Sequence, residues 1–200
     1  AGSKVEVEDA TVTINDATAT AITAAELSAV GGATLGTVTV TNAVAIAGTA
    51  AEVTAALVTA GTKVEVDDPT VNITTTPTSG ALHLIAAETT GVVTATLAAD
   101  SLANLAALNT AGTDQITVTV NDANGAALTA ANLSTLGGKT AGTVTVTNAV
   151  AITGDHDQVT AALVTAGTKV EVDDATVTIN DANATAITAA ELSAVGGATL

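Results

Sequence analysis

The sequence predicts a repeat protein: a β-rich solenoid of stacked strands with short helices (an α/β solenoid), with tandem small β-sandwich domains as the alternative. Three observations point there. Residues 1–35 return as residues 166–200 with only three differences, Ser3/Thr168, Glu8/Asp173 and Thr18/Asn183. Fixed-period self-similarity of this kind marks architectures in which each unit buries its apolar face against its neighbours. Short segments alternate apolar residues with Thr at period two, the pattern of half-buried strands. Finally, the chain has no Phe, Tyr or Trp. A core of Ala, Val, Ile and Leu suits a thin space between close layers, and the lack of an aromatic anchor counts against the sandwich. The pattern is under way at residue 1 and still running at residue 200, so the chain reads as a window on a longer tandem array.

The 165-residue period divides further. Residues 1–10 read as the end of a preceding repeat, 11–69 as a first copy, 70–116 as a shortened second copy, 117–175 as a third, and 176–200 as the start of a fourth. Thr11–Pro69 aligns with Thr117–Ala175 at an offset of 106. Within a copy the elementary module is a helix followed by a strand region.

Helix starts are marked by capping boxes, in which a Thr or Asp side chain and the residue three later satisfy unpaired N–H groups. Thr23…Glu26, Thr49…Glu52, Thr188…Glu191 and Asp155…Gln158 fit this pattern. Val53, Ala56, Leu57 and Ala60 recur at helical spacing and predict one apolar stripe. Gly31-Gly32 and Gly61 read as stops. Helices of two or three turns do not persist alone and need their neighbours.

The strands place Val38 and Val40 on one face and Thr37 and Thr39 on the other. Val64 and Val66 are out of phase with Val71 and Ile73, which predicts a corner near Asp67-Asp68-Pro69. The same slip separates Val5/Val7 from Val12/Ile14 at Glu8-Asp9. In the other half of the copy the phase is kept through Val38, Val40, Val44 and Ile46. That leaves Asn42 and Asn148 either as corner residues or as rungs of an internal amide ladder.

The chain carries 20 acidic residues against 4 Lys, a net charge of −16. Such a chain repels phosphate backbones and has neither basic patch nor stacking aromatics, which argues against nucleic acid as a partner. The mean hydropathy of +0.52 comes from Ala and Val spread through alternating patterns, and no apolar run has the length of a membrane span. Absence of Cys excludes disulfides and thiol chemistry. Catalysis finds no motif: there are two His and no Cys, and the Ser residues sit in predicted helices or turns without a motif around them. Gly31-Gly32 and Gly137-Gly138 lack the Lys-Ser/Thr of a phosphate-binding loop. The chain is not expected to be an enzyme.

The segments Thr89-Thr-Gly-Val-Val-Thr-Ala-Thr-Leu, Ser101-Leu-Ala-Asn-Leu-Ala-Ala-Leu and Gly48-Thr-Ala-Ala-Glu-Val-Thr-Ala-Ala-Leu resemble giant repetitive bacterial cell-surface and S-layer-like proteins. Cyanobacterial-type surface repeats and large adhesins exported without cysteine are the nearest of these. The resemblance implies an extracellular structural or adhesive role, often with calcium. The chain departs from the calcium-binding nonapeptide repeat in lacking a Gly-Gly-x-Gly-x-Asp run.

The acidic corners are the candidate metal residues. Glu8-Asp9, Asp67-Asp68 and Asp173-Asp174 recur at equivalent corners, and Asp16, Asp122 and Asp181 at the next turn. Calcium takes six to eight oxygen ligands, which carboxylates, amides and carbonyls of such loops can supply. Asp and Asn are also good turn residues in their own right. His156, between Asp155 and Asp157, belongs to the residue types that attract transition metals; its aligned counterpart is Ala50, so the reading favoured is a solvated helix start. Thr37/Thr39, Thr117/Thr119, Thr143/Thr145 and Thr176/Thr178 form Thr-x-Thr pairs resembling ice-binding arrays, against the plain reading that Thr suits solvent-facing strands.

These readings combine into an expected function. The chain is a structural segment of a long extracellular filament, surface layer or stalk at a bacterial cell surface, self-associating through its repeats. An adhesin extender with calcium-rigidified joints, or an ice-binding Thr array, is the alternative. Surface glycans are the further partner class considered.

Overall fold

The computed structural model describes residues 8–199 and divides into two compact units, Ala1–Thr96 and Leu97–Leu200. Val5 and Val7 lie outside the described residues. In the first unit the chain runs β1 (Val12–Ile14), β2 (Ala21–Thr23), α1 (Ala24–Gly31), β3 (Val38–Val40), β4 (Ala45–Gly48), α2 (Ala50–Leu57), β5 (Glu65–Val66), β6 (Thr70–Ile73), α3 (Ser79–Ala86) and β7 (Val93–Thr96). The second unit continues with α4 (Leu102–Leu105), β8 (Gln115–Val120), β9 (Ala127–Thr129), α5 (Ala130–Gly137), β10 (Val144–Val146), β11 (Val150–Gly154), α6 (His156–Leu163), β12 (Glu171–Val172), β13 (Ala175–Ile179) and α7 (Ala189–Gly196).

Among the described residues six segments run strand, corner, strand, helix, with the two strands in different sheets, and one has the single strand β7 before α4. In the first unit β1, β3 and β5 are neighbours in one sheet, and β2, β4, β6 and β7 in another. In the second unit β8, β10 and β12 lie side by side, as do β9, β11 and β13. Registers join one segment to the next: Val12 faces Val38, Ile22 faces Ile46, and Ile46 faces Val71. The second unit repeats this, with Val144 opposite Val118 and Ile152 opposite both Leu128 and Val177.

Both fold expectations, the β-rich solenoid and the tandem β-sandwiches, are corrected. The fold is α/β and Rossmann-like in that mostly parallel sheets are flanked by helices. Within the units every strand pair among the described residues is parallel, whereas a sandwich needs antiparallel hairpins and Greek keys. The physical reason is the helix in each segment. A helix between two strands of one sheet is a crossover, which returns the chain to the same end and makes the strands parallel. Strand–helix alternation therefore decides the class, and the period-two Val/Thr pattern does not.

Local features follow the sequence closely. All four expected capping boxes form, with Glu52 N donating to Thr49 Oγ1 at 3.3 Å and Thr49 N to the Glu52 carboxylate at 2.8 Å. Thr78, Ser101 and Thr129 cap α3, α4 and α5 from one side only. The corner expected near Asp67-Asp68-Pro69 is where β5 gives way to β6, and Asp68 there has φ +47°. Asn42 and Asn148 are half-buried corner residues. Their amides donate to the carbonyls of Asp16 (2.6 Å) and Asp122 (2.7 Å) in the preceding segment, so the corner reading holds and there is no inward ladder at these positions.

Gly31 and Gly32 end α1 as expected, Gly32 being its C-cap, whereas α2 ends at Leu57, short of Gly61. Gly31 is the last residue of α1, and a Cβ there would overlap the backbone carbonyl of Thr62; Gly137 stands in the same relation to Thr168. These residues are small because the next segment's backbone lies against them. A second seam is Thr-x-Gly: Thr34 and Thr89 donate their hydroxyls to the carbonyls of Ala10 and Pro69, both at 2.7 Å. The same hydroxyls accept from Gly36 N (3.0 Å) and Gly91 N (2.9 Å). Thr140, buried, does the same with Ile116 O and Gly142 N, both at 2.8 Å.

The core of the first unit is Val38, Val40, Val44 and Ile46 from strands and corners, with Leu27, Val53, Ala56 and Leu57 from α1 and α2. Burying such a side chain contributes about 1.5–3 kcal/mol. The twelve residues Thr20–Gly31 recur unchanged as Thr185–Gly196, yet Leu27 is 1% exposed and Leu192 is 49% exposed. Leu27→Ala is accordingly expected to cost its unit about 2–5 kcal/mol, the range for emptying a packed site. Leu192→Ala should cost about 0.5 kcal/mol or less. Urea denaturation of both variants, followed by helical circular dichroism, checks the difference; equal losses would contradict it.

Candidate functional site

Two residues beyond the end of a strand, the chain places a side chain that caps the helix of the preceding segment. Thr75 follows β6 and accepts from Ala50 N, the first amide of α2, at 3.0 Å. Asp122 follows β8 and accepts from Leu102 N, the first amide of α4, at 2.7 Å. Asp181 follows β13 and accepts from His156 N, the first amide of α6, at 3.1 Å. The first turn of a helix has unpaired N–H groups and a positive dipole end, so an oxygen acceptor there satisfies both. Each bond spans 20 to 25 residues. It is a joint between segments and not a local cap.

At α6 the joint has a second arm. His156 Nδ1 lies 2.8 Å from Asp181 Oδ1, while the His156 amide binds Oδ2, so the carboxylate is gripped through both oxygens. Both side chains are largely covered, at 17% and 12% exposure, whereas Asp157, 3.3 Å from Nε2, is 89% exposed. The Asp181 hydrogen bond holds the imidazole pKa above its ordinary value, against the cost of burial, and the charges of Asp157, Asp181 and Glu191 act in the same direction. This corrects the reading of His156 as a solvated helix start. Asp155 remains the N-cap, accepting from Gln158 N at 2.8 Å.

The other acidic residues are dispersed. Glu8, Asp9, Asp16, Asp67, Asp173 and Asp174 are exposed. Glu8 and Asp174 accept through their backbone carbonyls, from Leu35 N (2.9 Å) and Val150 N (3.3 Å). Asp16 contributes its carbonyl to Asn42. Asp68 Oδ1 takes both the amide and the hydroxyl of Thr90. Among the described residues no three His, Cys, Asp or Glu side chains converge as a metal site requires. Asp68, Asp122 and Asp181 are engaged with amides, a hydroxyl or an imidazole.

The sequence did not single out Thr75 or Asp100. Asp100 Oδ1 accepts from Ser101 N and Asn104 Nδ2, both at 2.8 Å, and the Asn104 bond first, then the Ser101 bond, keeps its carboxyl below the usual range. The helix caps Glu26, Glu52 and Glu191 are lowered by the same kind of bond from Thr23, Thr49 and Thr188. Thr75 stands 106 residues before Asp181, as Ala50 stands before His156. Comparing the copies position by position is the signal that pairs them.

The Thr-x-Thr pairs lie in short rows, the longest in register among the described residues being Thr129, Thr153 and Thr178. Thr13 and Thr39 are in register and the row ends at Glu65; Thr119 and Thr145 are in register and theirs ends at Glu171. A cleft of about 180 Å³ beside Leu57 and Val64 is lined by Lys63 and Glu88, whose charged heads pair with each other at 2.7 Å. Within each unit the strand order ascends with the sequence, so neither unit by itself contains the reversal crevice in which α/β sheets bind dinucleotides. No helix among the described residues is long and apolar enough to cross a membrane.

The His156 arm carries a pH sign. A group whose pKa is raised by folding contributes stability that is complete below its unfolded value, about 6.5 for imidazole, and lost as pH rises through the folded value. The second unit should lose stability as pH is raised upward from about 6.5, and His156→Ala should flatten the profile over that window. Urea midpoints at several pH values from about 5.5 to 8.5 check this; an unchanged slope in the variant would sink it. Comparison with protein-family models, with curated proteins and with solved structures gives no match for this chain.

Proposed function

We propose that this chain is a structural segment of a long extracellular polymer, a filament, surface layer or stalk at a bacterial surface, whose copies join through their repeated segments. The observation that carries the reading is the near-identical return of residues 1–35 as 166–200. A protein selected for one active site has no need of a second copy of the same scaffold at a fixed distance. A polymer built of interchangeable segments does. Support also comes from what joins the segments: backbone pairing in fixed register, Val, Ile and Leu packing, and the strand-end caps on the preceding helix. The high negative charge keeps an exposed polymer soluble between its contacts.

Electron microscopy of the purified protein, with calcium and again with chelator, tests this. Ordered fibres or sheets in both conditions are expected. Order that vanishes on chelation would move the function to calcium-rigidified joints, and dispersed single particles in both would contradict the proposal.

A further inference from the structure

We propose that the chain cuts its own backbone at the Asp68–Pro69 bond, with the Asp68 carboxylate as the nucleophile. Three features of the corner between β5 and β6 bear on this bond. The first is strain. Asp68 has φ +47°, where an L side chain is uncommon, although the residue before a proline is pushed toward extended backbone. Asp9 and Asp174 occupy the equivalent place, precede alanine, and are not at positive φ. Ala19 and Ala184 do have positive φ, but neither carries a carboxylate or precedes a proline. Strain of this kind persists only where the surroundings hold it, and it gathers at sites that use it.

The second feature is what holds Asp68. At two of the Thr-x-Gly seams the middle amide reaches a backbone carbonyl, Leu35 N donating to Glu8 O at 2.9 Å and Ala141 N to Asp114 O at 2.7 Å. Thr90 N, the corresponding amide, donates instead to Asp68 Oδ1 at 3.2 Å, and the Thr90 hydroxyl donates to the same oxygen. Thr90 thus anchors the side chain through Oδ1 and leaves Oδ2 outside that grip. Across the bond Pro69 is buried, and its carbonyl accepts from Thr89 Oγ1 at 2.7 Å. A Cβ on Gly91 would strike the carbonyls of Pro69 and Asp68. The peptide bond is held from both sides, and the corner cannot turn to release its strain.

The third feature is the chemistry of the pair. Asp68 Oδ2 attacks the backbone carbonyl carbon of its own residue and closes a five-membered cyclic anhydride. The C–N bond to Pro69 breaks, and the proline nitrogen takes a proton from solvent and leaves as a secondary amine. Proline suits this role because its nitrogen, a tertiary amide without N–H, is more readily protonated than that of an ordinary peptide bond. Water, which reaches the exposed Asp68, then opens the anhydride to two carboxyl groups. The net change is hydrolysis of one peptide bond. A nucleophile held beside its target lowers the barrier, and so does strain that the cut releases. The break falls between β5 and β6, which pair with β3 and β4, so the nick shows once the chain is denatured.

The test keeps the intact chain in mildly acidic buffer, folded or in urea, and weighs the denatured products by mass spectrometry. Fragments 1–68 and 69–200 should accumulate roughly tenfold faster from the folded chain, a factor that strain and positioning supply. The Asp174–Ala175 bond follows the same Lys-Val-Glu-Val-Asp-Asp sequence and should stay intact, an internal reference. Asp68→Gly suits positive φ and removes the nucleophile, and it should abolish the cut. Thr90→Val should lower the folded rate to that in urea, while Thr90→Ser keeps it. A folded rate equal to or below the urea rate overturns the proposal. So does equal cutting at Asp174–Ala175, a cut that persists in Asp68→Gly, or an unchanged rate in Thr90→Val.

Discussion

An isolated helix of eight residues does not persist in water, because nucleation fixes more backbone freedom than so few hydrogen bonds return. Six of the helices among the described residues are of that length. Their stability comes from two contributions of the adjoining segment. One is an apolar cover, as α2 provides for Leu27. The other, shown at α2 and α6, is an oxygen acceptor for the first helix amide, provided by Thr75 and Asp181; Asp122 does the same for the four-residue α4. Everything else in the fold is arranged to deliver these. The strand registers set which segment arrives, the glycines let its backbone come close, and the corner amides of Asn42 and Asn148 fix the distance between turns.

That dependence accounts for the residue choices. A core built only of aliphatic side chains is adequate where each helix is thin and lies directly on strands. Thr is used for two purposes, outward on strands and inward at loops, where the Thr34, Thr89 and Thr140 hydroxyls each bind a carbonyl of the preceding segment and a glycine amide of their own. Two of the corner carboxylates, Asp122 and Asp181, answer the positive end of a helix. The same position carries Thr75, Asp122 or Asp181, so an uncharged hydroxyl serves there as a carboxylate does. Where His156 replaces Ala50 at the helix start, its partner is Asp181 and no longer Thr75, so the copies change in matched pairs.

Much of this was legible in the sequence, and what was not has a physical reason. Capping boxes such as Thr49…Glu52 are local, complete within four residues, and appear as read. Strand phase is also local: the slip between Val66 and Val71 locates the corner at Asp68. The fold class was misjudged because the strand periodicity of Val38 and Val40 is the same in a parallel α/β sheet and in a β-rich solenoid. The crossover helices between strands settle it, and their weight is lost when they are seen only as short. The acceptors Thr75 and Asp181 were not legible as helix partners. Their amides lie 25 residues away, and no local pattern encodes that distance.

The central claim is that a segment's order is supplied by the segment beside it. Residue-resolved hydrogen exchange on the intact chain tests this without any substitution, since Ala24–Gly31 and Ala189–Gly196 have the same sequence and the same intrinsic rates. Covered α1 should exchange roughly hundredfold more slowly than open α7, the spread expected between cooperative core and locally opening structure. Equal protection of the two helices would mean that their order is local, and would contradict the account.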